Sequence, residues 1–98
     1  MLSRDGFACV YCGRSGGVLV ADHVRPCAHF PAAATRDEVN APENLVAACD
    51  VCNRAKRPQD LDGFAAMLRG RGLPAADVDA MVQRVRTAVA RSLPPPVP

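Results

Sequence analysis

Cys49-Asp50-Val51-Cys52-Asn53-Arg54-Ala55-Lys56 is the stretch on which the fold turns. Two cysteines one helical step apart lead into an Asn and a basic run that reads as a helix from Cys49 to Arg57, limited by Pro58. Upstream, Cys9-Val10-Tyr11-Cys12-Gly13 repeats the Cys-x-x-Cys step, and Gly13 suits the tight turn of a knuckle. Two such pairs can supply four sulfurs in a tetrahedron, about 2.3 Å from a zinc ion. A closed four-sulfur site leaves no position for water, so a metal there is structural. The chain opens Met-Leu-Ser-Arg-Asp-Gly without an apolar signal segment, which leads us to expect a reducing, cytoplasmic setting and zinc rather than disulfides. At 98 residues the chain makes one domain with a marginal core, for which a metal is a common staple.

Between the two pairs lie two apolar segments. Ser15-Gly16-Gly17 signals a turn and Val18 to Asp22 a short strand, ending in Ala21-Asp22-His23-Val24-Arg25-Pro26. Leu45-Val46-Ala47-Ala48 can pair back on it. The connection from Pro26 to Pro42 shows no period, except that Thr35 and Glu38 fit a capping box for one helical turn. Met1 to Ala8 reads as irregular lead-in.

Beyond Pro58 the pattern is helical. Leu61, Phe64, Ala65 and Leu68 form one stripe, stopped by Gly70 and Gly72, and Pro74 opens a second helix with Val78, Met81, Val82, Val85 and Val89. Both stripes read as support for the stapled core. Pro94 to Pro98 reads as a stiff tail. The chain thus divides into residues 1–58, 59–93 and 94–98.

The formal charge is +2, and four thiolates holding one zinc dication would bring it to about zero. Any nucleic-acid footprint must therefore be local. With Phe7, Tyr11, Phe30 and Phe64 as its aromatics, the chain has little with which to stack bases. No apolar run is long enough to span a bilayer.

Arg4-Asp5-Gly6-Phe7-Ala8-Cys9-Val10-Tyr11-Cys12-Gly13, Asp22-His23-Val24-Arg25-Pro26, Pro42-Glu43-Asn44-Leu45 and Cys49-x-x-Cys52-Asn53-x-x-Lys56 together resemble the HNH endonuclease family in its zinc-bound form. The resemblance covers residues 4 to 58, with four motifs in order. It implies a small α+β fold: a zinc-stapled, treble-clef-like ββα-metal module, here followed by two C-terminal helices.

Position by position, the resemblance makes His23 the general base that deprotonates the attacking water, a task suited to an imidazole with an ordinary pKa of about 6.5. Asp22 and Asn53 become ligands of a catalytic divalent ion, and their oxygens favour Mg²⁺ or Mn²⁺. Asn44 becomes the residue whose oxygen holds the His23 ring in the right tautomer. Asp22 and His23 are strand neighbours, so a local twist or bulge is expected to bring both to one site. Arg25, Arg54, Lys56 and Arg57 are expected to hold DNA phosphates, against the plain alternative of solvated charge. Cys27 and His29 stand without a ligand cluster and read as a free thiol and a loop histidine. The Gly-Gly common in the loop after the family's histidine is missing. The implied activity is metal-dependent DNA hydrolysis. The rival is an inactive zinc-stapled module that binds DNA or protein. A stand-alone module of this size looks most like phage examples, with a targeting or packaging protein as partner; cutting both strands would ask for a dimer or two nicks.

Overall fold

Alternation along Leu19–His23 forms strand β1, and Leu45–Cys49 forms β2, which pairs with it antiparallel. The register in this computed structural model runs from Leu19 opposite Cys49 to His23 opposite Leu45. The structure describes residue 2 and residues 4–92, so the proline tail lies outside the described residues. The pairing is one-for-one through Asp22 and His23, so the expected bulge is not there. Asp22 turns into the core and His23 stays half-buried, as the pleat of a regular strand requires.

β2 is the inner strand, with Val46, Ala47 and Ala48 fully buried. Its far edge is closed by the lead-in. Val10 donates its amide to the Ala47 carbonyl at 3.0 Å, and the Ala47 amide donates to Asp5 Oδ2 at 2.7 Å. Arg4 Nε holds that carboxylate at 2.6 Å, while Nη1 and Nη2 donate to the carbonyls of Pro42 and Leu45. The lead-in forms no helix or strand among its described residues, as expected, and serves as a polar clasp on the sheet edge.

The long connection holds a 3₁₀ turn at Cys27–His29, the short helix α1 at Arg36–Val39, and a second 3₁₀ turn at Pro42–Asn44. Thr35 caps α1 by accepting the Glu38 amide at 3.1 Å. Helix α2, Asp50–Lys56, starts on the Cys49 sulfur, which accepts the Cys52 amide.

Asp60 caps α3, Leu61–Gly70, through the Gly63 amide at 2.8 Å, and α4 runs Ala75–Ala90. Their apolar stripes and the hairpin share a single core. Phe64, Val78, Met81 and Val85 meet Tyr11, Val46 and Ala48 there, with Tyr11 edge-on to Phe64 at 5.4 Å between centroids. Arg84 on α4 donates to the carbonyls of Val10 (2.9 Å) and Tyr11 (2.7 Å), which ties the second half to the first knuckle. No helix among the described residues is long and apolar enough to cross a membrane.

Candidate active site and metal centre

The left-handed backbone of Gly13 (φ +79°) lets its amide turn back on the Cys9 carbonyl at 2.8 Å, closing the first knuckle. The second knuckle is the junction of β2 and α2. Together they bring the sulfurs of Cys9, Cys12, Cys49 and Cys52 within 4.8 Å of one another, with Cys12 and Cys49 at 3.9 Å. A tetrahedron with sulfurs about 2.3 Å from zinc has edges of about 3.8 Å. All five cysteines are free of disulfides. The four fit a structural zinc ion, and Cys27 is outside the cluster.

The thiols already differ. Burial pushes Cys9 up, and burial with the neighbouring sulfurs pushes Cys52 up. At Cys49 burial is outweighed by hydrogen bonds from the Cys52 amide and the surrounding thiols, which hold it down at about 7.

Beside this cluster, β1 and α2 enclose a cleft of about 320 Å³ whose walls include Asp22, His23, Cys27, Asn53 and Arg57. Asp22 is 5% exposed. Its Oδ2 accepts from the Tyr11 hydroxyl and lies 3.1 Å from Lys56 Nζ. Burial, and then the Asp22 charge, push the Tyr11 phenol far above its ordinary value, so it stays a neutral donor. Asp22 Oδ1 has no hydrogen bond among the described residues, yet no buried side-chain polar atom there is left unpartnered. Oδ1 is therefore not sealed off, and Asp22 is one of the residues that line the cleft. The Asn53 side chain, also free of such bonds, lines the same cleft from α2. A carboxylate oxygen and an amide oxygen on one cleft are donors that fit a hard divalent cation.

Lys56 lies in the interior, not on the surface where a phosphate contact was expected. It is 1% exposed, paired with Asp22, and donates to the His23 carbonyl at 2.7 Å. It follows Cys52 by one helical turn and so shares its inward face, turned away from the surface that the expected phosphate contact needs. Asn44 differs from expectation as well. Its Oδ1 accepts the Arg25 amide at 2.8 Å, and its Nδ2 donates to the carbonyls of Arg25 (3.1 Å) and Val39 (2.8 Å). Its own carbonyl accepts the Val24 amide at 2.9 Å. With every polar group spent on fixing the loop after His23, it leaves the ring to Asn40, whose Oδ1 is 2.7 Å from His23 Nε2.

The remaining cations differ in freedom. Arg54 pairs with Asp50 at 2.7 Å, and Arg25 stacks on Phe30 at 4.5 Å while donating to the His29 carbonyl. Arg57 is exposed on the cleft with no ion pair among the described residues.

A family model described as HNH endonuclease matches residues 9–59, just over half of the chain. The chain belongs to the HNH endonuclease family. The matched segment of the HNH chain holds all four clustered cysteines together with Asp22, His23, Asn44 and Asn53. No curated protein and no solved structure matches it. Asn40 and Tyr11 lie inside the match but were not legible as site residues. Asn40 sits in a loop without a period. Tyr11 was visible as the aromatic between two zinc-ligand positions, though nothing local told its hydroxyl where to point.

Proposed function

We propose that this HNH module hydrolyses DNA phosphodiester bonds with one divalent cation, Mg²⁺ or Mn²⁺, held by Asp22 and Asn53. When bound, the cation supplies Lewis-acid polarisation of the scissile phosphate and stabilises the leaving oxygen. The observation that carries the reading is that Asp22, His23 and Asn53 line one cleft beside the four-sulfur cluster. His23 acts as general base. With Nε2 donating to Asn40, Nδ1 is the nitrogen left to take a proton from water. Asn44 acts at one remove, fixing the loop that leaves His23. Arg57, Arg25 and Arg54 hold flanking phosphates, which positions DNA without reading its sequence. Target choice then falls to a partner, such as a packaging or targeting protein.

Plasmid nicking in Mg²⁺, Mn²⁺ or EDTA, with His23→Ala alongside, tests this. Metal-dependent nicking by the parent, lost in EDTA and in His23→Ala, is the expected result. DNA binding equal in both proteins, with no metal-dependent nicking in either, would instead favour an inactive zinc-stapled binding module.

A further inference from the structure

The Lys56 ammonium is the group in this molecule that local sequence least prepares one for. It is buried to 1% exposure and lies 3.1 Å from Asp22 Oδ2. It also donates to the His23 carbonyl at 2.7 Å and stands 5.9 Å from the centre of the Tyr11 ring. The Tyr11 hydroxyl takes the same Oδ2, so one oxygen of Asp22 is committed to the core while the other, without a hydrogen bond among the described residues and not sealed off, belongs to a residue that lines the cleft.

We infer that Lys56 is a positioning residue that acts through Asp22, restricting it to one oxygen and keeping its hold on the divalent cation weak. This rests on the proposed one-metal nuclease reading. Two effects point the same way. A cation bound at Oδ1 is repelled by a fixed positive charge seated on the other oxygen of the same carboxylate, in an interior where screening is poor. With Oδ2 occupied, the carboxylate cannot close on the cation with both oxygens, as a free one can. A weakly held ion exchanges readily and leaves its remaining coordination positions to water and phosphate. The geometry also ties α2, which carries Asn53, to the backbone of His23 through a single side chain.

The sign separates this role from simple scaffolding. A damaged scaffold binds the cation more weakly, whereas removing a resident competing charge binds it more tightly. The experiment follows free Mn²⁺ by its electron paramagnetic resonance signal during titration of the zinc-loaded full chain. It compares the parent, Asp22→Asn, Lys56→Met and Lys56→Gln, with zinc content and circular dichroism as folding checks. Lys56→Gln keeps a donor for Asp22 while dropping the charge, and serves alone where Lys56→Met does not fold. The expected result is Mn²⁺ binding that Asp22→Asn abolishes and that the neutral Lys56 variants tighten about tenfold, with slower single-turnover cleavage of DNA. A folded neutral variant with an unchanged or weaker Mn²⁺ midpoint, beside a parent that binds and cleaves, overturns the role of Lys56 alone. A parent that shows neither Asp22-dependent Mn²⁺ binding nor metal-dependent cleavage overturns the nuclease reading and this inference with it.

Discussion

Asn40 Oδ1, at the end of α1, lies 2.7 Å from Nε2 of His23, at the end of β1. The contact fixes both the plane of the ring and the nitrogen that carries its proton. His23→Ala is expected to lower the DNA cleavage rate by about 10²- to 10⁴-fold, the usual worth of a general base. Asn40→Ala leaves the base in place and loosens it, so a loss of about 10- to 100-fold is expected. Single-turnover kinetics at saturating DNA measure both. An Asn40→Ala rate equal to the parent's would show that the ring needs no such partner.

Arg84 spans two carbonyls of the first knuckle from α4. Arg84→Met keeps most of the apolar stem and deletes both charged donors. A loss of about 1–3 kcal/mol in unfolding free energy is expected, read from urea titration of the zinc-loaded protein. Stability within error of the parent would mean that water replaces the guanidinium without cost.

Cys52→Ser removes one corner of the sulfur tetrahedron, while Cys27→Ser touches a thiol outside it. The first is expected to lose stoichiometric zinc and the cooperative unfolding transition, because metal affinity here is folding free energy. The second is expected to keep both. Zinc analysis of the purified proteins, with thermal melts, separates the pair, and zinc retained at one equivalent by Cys52→Ser would contradict a four-sulfur site.

Arg57 and Arg54 lie on the outer side of α2 and its end, unlike Lys56. Each Arg→Ala change is expected to reduce the slope of log K against log salt by about one for Arg57, and by less for Arg54, which already spends charge on Asp50. Fluorescence anisotropy with a labelled duplex, in EDTA so that cleavage does not intrude, gives the slopes. An Arg57→Ala slope equal to the parent's would remove that residue from the DNA footprint.

The knuckles, the hairpin and the last two helices were legible because each is written locally: cysteine spacing, apolar runs between glycines, and stripes at helical period. Thr35 with Glu38 marked even the short α1, and the structure has the cap. What was not legible depends on direction across the fold. Lys56 looked like one of three cations in a basic run, yet it falls one turn after Cys52 and must face inward with it. Asn40 and Asn44 are alike in chemistry and four residues apart. Only the closure of the long loop assigns the first to the His23 ring and the second to the backbone of Arg25 and Val39. Nothing in the lead-in itself says that the Asp5 carboxylate meets the edge of β2.

Arg4 donates to the hydroxyl of Ser92 as well as to its own neighbour Asp5. Residues 4 and 92, near opposite ends of the described sequence, are thus one side chain apart. One guanidinium closes the described body into a ring, so that loosening Arg4 would free the lead-in and the end of α4 together.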